Sequence, residues 1–310
     1  MINDLAPGDT LDASSLRIVK AIADTGSITA AAESLGYSQP AVSQHLKRLE
    51  RRLGVAVIER AGRGIRLTEA GRVLARHAPA VEHALGAALE ELAELRGLRA
   101  GHVRLVGFPS ASPVLVPRLI QRLGEAHPGV TLSYVEAEPP EAVAAVREDR
   151  ADIALTFSYP GDRDDPHGES ARGLTVREAG RDELVLVTRE GHAFAPGGDI
   201  GGLADETWIA GCPRCRGHLL ELCGRAGFDP RIAFETDNVV AVEGLVARGI
   251  GVATLPRMAV DSFPAVPGVR FAALPASEAR SLHVVTAQGA EAVPSIGAVL
   301  GLLGELLRSR

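Results

Sequence analysis

The chain has 310 residues, a length that suits two or three domains, each able to bury a core. Hydrophobic residues make up 46% of it and charged residues 23%, and no apolar run approaches the roughly 18 residues of a membrane span. The first ten residues are polar and do not resemble an export signal, so we expect a soluble, cytoplasmic protein. Its three cysteines, all between positions 212 and 223, exclude a disulfide framework spread over the fold.

Charge is segregated along the sequence. The net charge of the chain is −6, yet residues 43–72 hold eight Arg or Lys against three Glu, a local net of +5. Residues 73–310 hold 23 basic and 31 acidic residues. One short basic block on an acidic chain is typical of a nucleic-acid-binding module joined to a region that does not contact phosphate.

Three short helices are predicted near the N-terminus, and a glycine or a capping residue marks their boundaries. Gly26 ends the first, Ser27 caps the second and Ser38 caps the third. Gly36 permits a tight turn, and Pro40 lies in the first turn of the third helix, where its missing N–H is harmless. The predicted spans are Leu11–Thr25, Ile28–Leu35 and Gln39–Leu53.

Two short strands, Val55–Glu59 and Ile65–Leu67, should follow and form a hairpin. The hairpin carries three basic residues, Arg60, Arg63 and Arg66. Three helices followed by a basic hairpin indicate a winged helix-turn-helix that binds double-stranded DNA.

The third helix should enter the major groove, where all four base pairs look different. Its N-terminal side chains are expected to contact base edges: Gln39, Pro40, Ser43, Gln44 and His45. Contacts to the DNA backbone are expected from Ser38, Lys47 and Arg48, with Arg63 and Arg66 of the wing reaching the minor groove or phosphates. Basic residues alone would indicate only a solvated helix face, but the turn, the caps and the wing agree on DNA binding.

From Thr68 onward the apolar positions follow a heptad, and these positions are Leu74, Ala78, Val81, Leu85, Ala88, Leu92 and Leu95. Repeated steps of four and three predict a coiled coil, so this helix should pair with its copy in a second subunit. The alternative is a helix packed along its own domain. Pro79 should kink the helix near its start.

Beyond His102 the pattern changes to short apolar strands, most of them separated by helical segments. The predicted strands are Val103–Gly107, Val130–Val135, Ile153–Phe157, Leu184–Val187, Ile232–Phe234, Gly251–Thr254 and Leu282–Thr286. This alternation predicts an α/β architecture with largely parallel sheets. The turn-rich runs Pro160–Gly168 and Pro264–Gly268 suggest two crossings between lobes.

The segment Ile28–Gly71, ITAAAESLGYSQPAVSQHLKRLERRLGVAVIERAGRGIRLTEAG, closely resembles the DNA-binding domain of the LysR-type transcriptional regulators. GHVRLVGF, DRADIALTF and GLVARGIGVATLP, further along, resemble the same family. The resemblance implies a winged helix-turn-helix, a long dimerisation helix and a two-lobed α/β effector domain similar to type 2 periplasmic binding proteins. The expected boundaries are a flexible extension at 1–10, the DNA-binding domain at 11–70, the linker helix at 71–100 and the effector domain at 101–310, with lobe I at 101–160 and 270–310 and lobe II at 161–269.

The resemblance also implies a homodimer through the linker helix, usually assembled into a homotetramer, that binds interrupted palindromic operators near promoters. A small molecule between the lobes would alter DNA bending and transcription, and RNA polymerase is a further partner to expect. No metal and no cofactor are expected.

Binding sites in two-lobed α/β domains lie at the C-terminal ends of strands. Ser110 and Ser112 follow the first strand, ahead of a helix expected to begin near Val114, at a place where family members commonly hold a carboxylate or another polar group. Other strand ends add Phe157, Ser158, Gly211, Cys212 and Thr236. We therefore expect an anionic or polar ligand; the alternative is that the two serines only cap the helix.

The motif CPRCRGHLLELC raises two further hypotheses. Its three cysteines and His218 could bind a metal, but their spacing is not that of a common structural zinc site. The motif also resembles the peroxide-sensing branch of the family, with Cys215 near a helix N-terminus, beside Arg214 and Arg216, paired with Cys212 or Cys223. Cys223 is eight residues away, about 12 Å along an intact helix, too far for a disulfide unless the helix melts.

Two other classes of protein fit less well. A solute-binding protein for transport would resemble the effector domain alone, but it would have no DNA-binding head. The sequence contains no Gly-x-Ser-x-Gly elbow, phosphate-binding glycine loop or His-Glu metal helix of an enzyme. We therefore expect a regulator and not an enzyme.

Overall fold

The computed structural model describes residues 11–61, 64–95, 101–162, 167–194 and 198–308. The chain divides into two compact units: the first holds the described residues up to position 95 with Ala287–Gly297, and the second holds Gly101–Thr286 and the described residues from Ala298 onward. The predicted extension at 1–10 and the wing residue Arg63 lie outside the described residues. No helix within the described ranges is long and apolar enough to span a membrane.

The first unit begins with three helices, α1 (Ala13–Thr25), α2 (Ile28–Ser34) and α3 (Gln39–Leu53). The predicted caps are confirmed: Gly26 is left-handed at the end of α1, and the Ser27 and Ser38 side chains accept N–H hydrogen bonds at the starts of α2 and α3. One face of each helix packs into a common core that includes the fully buried Leu49.

The wing consists of β1 (Ile58–Ala61) paired antiparallel with β2 (Gly64–Leu67). The first strand starts three residues later than the predicted Val55. The reason is that Glu50 of α3 accepts hydrogen bonds from the backbone N–H groups of Val57 and Ile58, at 2.8 and 3.3 Å, and so ties this stretch to the helix.

The linker helix α4 (Glu69–Leu95) runs through Pro79. Ala78 of the heptad seam is buried and Leu74 packs against the core of the first unit. Leu85 and Leu92 of the same seam are 46% and 53% exposed. The start of the seam therefore packs on its own domain, and the later part is uncovered in a single chain.

The second unit contains two five-stranded sheets, one in each lobe. Lobe I has the strands β3 (Gly101–Gly107), β4 (Val130–Glu136), β5 (Ile153–Ser158), β6 (Leu174–Asp182) and β12 (Arg280–Ala287), with α5 (Val116–Ala126), α6 (Pro139–Arg147) and α10 (Pro294–Arg308). Lobe II has β7 (Leu184–Arg189), β8 (Thr207–Ala210), β9 (Arg231–Glu235), β10 (Val252–Pro256) and β11 (Val269–Ala273), with α7 (Pro213–Arg225), α8 (Val239–Ala247) and α9 (Arg257–Val260). The strand orders are β4-β3-β5-β12-β6 and β11-β7-β10-β8-β9.

Both sheets are mixed: the expectation of largely parallel sheets holds for β4-β3-β5 and β10-β8-β9 and is wrong for the pairs made by β12 and β7. In lobe I, β3 pairs parallel with β4 and β5, but β12 pairs antiparallel with β5. In lobe II, β7 pairs antiparallel with both β10 and β11. These antiparallel strands, β7 and β12, are the first strands after the two crossings between the lobes.

The predicted lobe boundaries, with lobe II at 161–269, were also wrong. The chain first crosses at Glu183, between β6 and β7, and returns between β11 and β12. Strand β6 therefore belongs to lobe I and β11 to lobe II. Sequence patterns missed β6, in which apolar and charged residues are mixed, and the short strands β8 and β11.

Candidate functional site

The exposed face of α3 carries most of the predicted DNA contacts. Gln39, Pro40, Gln44, Lys47 and Arg48 are exposed, as is Ser38 at the cap. The Gln39 amide donates from Nε2 to the hydroxyl of Ser43, one turn later, at 3.0 Å. The start of α3 thus presents a continuous polar edge to solvent.

His45 is turned away from this edge and toward α1. Its Nε2 lies 2.8 Å from the Oγ of Ser15, a fully buried residue whose hydroxyl also donates to Asp12 at 3.0 Å. Arg52 donates to the same carboxylate at 2.9 Å. This arrangement places His45 in a polar network that holds α3 against α1, so its contact with bases would require that network to open.

On the wing, Arg66 donates from Nε to Glu59 of the opposite strand at 2.7 Å. Both side chains are largely exposed, so DNA phosphate could displace the carboxylate at little cost.

A cleft between the two lobes collects six of the seven predicted effector residues. A deeper chamber of about 60 Å³, the inner chamber, is lined in part by Ser110, Phe157, Gly211, Cys212 and Thr236. A wider chamber of about 580 Å³, the outer chamber, shares Ser110 with it and adds Ser112. Ser158 lines neither chamber.

The inner chamber contains a buried arginine that sequence patterns did not identify. Arg280, only 1% exposed, donates to Asp182 Oδ2 from Nε at 3.0 Å and from Nη2 at 2.7 Å. Its guanidinium lies 4.7 and 4.5 Å from the ring centroids of Phe108 and Phe157. Asp182 ends β6 and Arg280 starts β12, so this ion pair lies where the chain crosses between lobes.

The two predicted serines form side-chain hydrogen bonds and do not cap a helix. Ser110 Oγ accepts a hydrogen bond from Arg280 Nη2 at 2.7 Å, and Ser112 Oγ lies 2.9 Å from the hydroxyl of Tyr134. The α5 helix begins at Val116, two residues later than expected, and has no side-chain cap. The capping alternative is therefore wrong.

Two carboxylates of the cleft were also missed. Burial raises the pKa of Glu138, and the nearby charge of Asp237 raises it further. Burial raises the pKa of Asp237 as well. Glu138 follows β4 and Asp237 follows β9, so the strand-end rule that selected the serines would have found both.

The cysteines take different roles around α7. Cys212 is the N-cap, and its sulfur accepts the backbone N–H of Cys215 at 3.3 Å. A hydrogen bond from the Cys212 thiol lowers the pKa of Cys215; the Tyr159 hydroxyl, 3.6 Å from its sulfur, and the charge of Arg280 act in the same direction. Cys223 is fully buried, and burial raises its pKa to about 12.

The neighbouring arginines do not act as expected on the Cys215 thiolate. Arg214 pairs with Asp162, and Arg216 pairs with Glu235 at 3.1 Å. The cation whose charge lowers the pKa of Cys215 is instead Arg280, 65 positions further along the sequence. Within the described ranges, the three cysteines and His218 do not converge into a set of donor atoms that could hold a metal ion.

Two family models match almost all of the chain. Residues 13–72 match the model of the bacterial regulatory helix-turn-helix protein, lysR family, and residues 96–308 match the LysR substrate binding domain. A probable HTH-type transcriptional regulator, LrrA of Synechococcus elongatus, is 29% identical over 93% of this chain and 95% of its own length. A probable hydrogen peroxide-inducible genes activator of Mycobacterium avium is also 29% identical, over 95% of this chain and 94% of its own.

A solved structure shares the fold. An H2O2-bound mutant of Corynebacterium glutamicum OxyR has a TM-score of 0.59 at 22% identity, over 96% of this chain and 93% of its own. The predicted fold class, a winged helix-turn-helix with a two-lobed α/β effector domain, is confirmed. The chain belongs to the LysR family of DNA-binding transcriptional regulators.

Proposed function

We propose that the chain works in the cytoplasm as an effector-controlled regulator and not as an enzyme, and that it recognises an interrupted palindromic operator through the start of α3. The observation that carries this proposal is the exposed, mostly polar edge of α3, a helix capped by Ser38 and ended by Gly54. A homodimer would form along the exposed later part of the α4 seam, and two dimers would form a tetramer. Contact with RNA polymerase would couple operator binding to transcription.

Each residue of the α3 edge has a separate role in this proposal. The Gln44 amide, and Gln39 once its bond to Ser43 opens, can make two hydrogen bonds to an adenine, and Pro40 offers an apolar contact to a thymine methyl. Ser38, Lys47 and Arg48 would position the helix through phosphates, as would Arg66 and Arg63 on the wing.

A gel-shift comparison tests base contact by Gln44. Duplexes selected from a random pool by the wild-type chain serve as the specific probe, and an unselected duplex serves as the non-specific one. Gln44→Ala should lose about 1 to 3 kcal/mol of binding free energy on the selected duplex and little on the other. Gln121→Ala, an exposed glutamine of α5, is the matched control. Equal losses on both duplexes would contradict a base contact.

The cleft is the proposed effector site. The Ser110, Thr236 and Gly211 positions face it from loops of both lobes, so a ligand bound there would contact both. A ligand that binds one arrangement of the lobes more tightly shifts the population toward it, and the α4 dimer would carry that shift to the DNA-binding domains.

Thiol-based redox sensing is a second candidate, favoured by the contact between Cys212 and Cys215. The Cys215 thiolate would attack a hydroperoxide, forming a sulfenic acid and releasing an alcohol or water after protonation of the leaving oxygen. The Cys212 thiol would then attack that sulfur, forming the Cys212–Cys215 disulfide and releasing water. An inner chamber of about 60 Å³ holds only a few water-sized molecules, which suits a small oxidant.

Peptide mass spectrometry after mild hydrogen peroxide treatment tests this candidate. The expected product is a disulfide between Cys212 and Cys215 with Cys223 still reduced, and Cys223→Ser should not change the yield. Cys212→Ser should instead leave a sulfenic acid at Cys215 that a dimedone probe traps. Free thiols at all three positions would contradict the redox-sensing hypothesis. A Cys215–Cys223 disulfide would show that α7 unfolds during oxidation.

A further inference from the structure

The outer chamber of the cleft is acidic. Glu136 and Asp237 line it, and its lining contains no lysine, arginine or histidine among the described residues. The nearest buried cation, Arg280 in the inner chamber, is already neutralised by two hydrogen bonds to Asp182. An anion entering the cleft would therefore meet two carboxylates before it met a positive charge, and that positive charge is paired.

The two carboxylates that line the outer chamber come from different lobes. Glu136 ends β4 in lobe I, and Asp237 follows β9 in lobe II. Glu138, two residues after Glu136, lines the inner chamber together with Asp237. Asp237 is close enough for its charge to act on Glu138, whose Oε2 is buried without a hydrogen-bond partner in the described part of the chain. Like charges on two lobes repel each other, and a cation placed between them would replace that repulsion with two attractions.

The remaining lining of the outer chamber combines polar side chains, such as Asn238 and Ser262, with apolar ones. Phe263 and Val240 line it and are 46% and 51% exposed. The face of the Phe263 ring attracts a cation, and both side chains would pack against the hydrocarbon part of a ligand. The volume of about 580 Å³ lies within the range of small-molecule sites, roughly 300 to 1,000 Å³, and is far more than one inorganic ion needs.

We propose that the effector of this cleft is an organic cation, a small amine with a hydrocarbon body, held in the outer chamber between Asp237 of lobe II and Glu136 of lobe I. This inference rests on the proposed effector function of the cleft. It reverses the sign of the ligand charge expected from the loop containing Ser110. The cation would favour an arrangement of the lobes in which Glu136 and Asp237 both contact it, because it binds that arrangement more tightly than any other.

Calorimetry and thermal shift on the full-length chain, at constant ionic strength, test the sign of the charge. The cationic probes are 1-aminobutane, 1,4-diaminobutane and tetramethylammonium; butyrate and succinate are the anionic probes, and 1,4-butanediol is the neutral one. At least one cation should bind and raise the Tm, and the anions and the diol should not. Binding of no cation, or of an anion in preference to every cation, would overturn the proposal.

Variants that replace a carboxylate of the outer chamber by the corresponding amide locate the site. Asp237→Asn and Glu136→Gln should each weaken binding of the cationic probe at least about tenfold, the size of one lost charge-assisted contact. Asp229→Asn, an exposed aspartate of the same lobe outside the cleft, should leave binding unchanged. Glu136 is exposed, so its variant keeps the test decisive if the aspartate variant fails to fold. Equal cation binding by all the variants would contradict the assignment.

The two proposals fail in different ways. If an anion binds and Ser110→Ala abolishes that binding, the cleft is still an effector site and the inferred charge is wrong. A cation could instead bind in an Asp237-dependent way and leave the gel-shift pattern on the selected duplex unchanged. That result would support the cation site and contradict its role in regulation.

Discussion

The helices α3 and α7 begin in the same way and lead to different chemistry. Each has a short side chain at the N-cap, Ser38 or Cys212, that accepts the N–H three residues later, and each has a proline in its first turn. The start of α3 is exposed to water. The start of α7 lies in the cleft beside Tyr159 and Arg280, both buried.

The difference shows how burial decides the use of a helix N-terminus. Every such terminus carries a partial positive charge and unpaired N–H groups. On α3 these groups are exposed and can bind DNA phosphate. The side chains at the start of α3 are neutral, so they do not cancel the partial positive charge of the helix terminus. On α7 the same partial charge acts at low dielectric on the protein's own sulfur, together with a buried guanidinium, and favours the thiolate of Cys215.

The largest predicted effect concerns the buried cation of the α7 environment. Arg280→Met removes one partner of an ion pair that is almost fully buried and leaves Asp182 charged without a cation. We expect the free energy of unfolding of the second unit to fall by about 3 to 5 kcal/mol. Urea denaturation followed by circular dichroism measures it.

Arg122→Met is the control, because its pair with Glu305 is about half exposed on both sides and should contribute at most about 1 kcal/mol. Arg280→Met combined with Asp182→Leu should recover part of the loss, since the isolated charge is gone. A loss in Arg280→Met no greater than in Arg122→Met would show that the guanidinium is better solvated than its burial indicates.

The exposed cap of α3 should give a smaller effect. Ser38→Ala leaves one N–H of the first turn without its side-chain acceptor and should cost about 1 kcal/mol of the free energy of unfolding. Ser38→Asp keeps the cap and adds a negative charge, so it should keep the stability and weaken binding to every duplex. Thermal unfolding and gel shifts separate the two effects. Wild-type DNA affinity in Ser38→Asp would show that this cap lies away from phosphate.

The N-terminal helices could be predicted from the sequence because their signals are local. Gly26, Ser27 and Ser38 lie next to the elements that they end or start, and the span predicted for α3 matches the structure at both ends. The wing was less predictable, because Glu50 of another element accepts the backbone N–H groups of Val57 and Ile58, and the strand begins only at Ile58.

The cleft could be predicted only in part, because its charges come from distant elements. The strand-end rule found Thr236, which follows β9 directly, and Ser110 and Ser112, which lie in the loop after β3. Arg280 begins a strand and acts on Cys215 from 65 positions away, and no local pattern connects the two. The lobe crossings were misplaced for a similar reason: Asp182, which bonds Arg280 and the backbone N–H of Met258, marks the crossing through contacts that exist only in the folded chain.

The smallest predicted effect concerns the reactivity of Cys215 at the start of α7, which is measured on the folded chain. A lowered pKa gives Cys215 more thiolate at a given pH than an ordinary cysteine, so its alkylation by iodoacetamide should rise at a lower pH than that of a cysteine in an unfolded peptide. Cys212→Ala removes the thiol that donates to Cys215 and should move this rise to higher pH, whereas Cys212→Ser keeps a donor and should move it less. Cys223, buried and with a pKa of about 12, should stay unlabelled in the folded chain. The measurement is the labelled fraction of each cysteine-containing peptide, determined by mass spectrometry after alkylation at neutral and alkaline pH. If Cys215 followed the peptide profile, or Cys212→Ala did not move it, the start of α7 would be chemically no different from the start of α3.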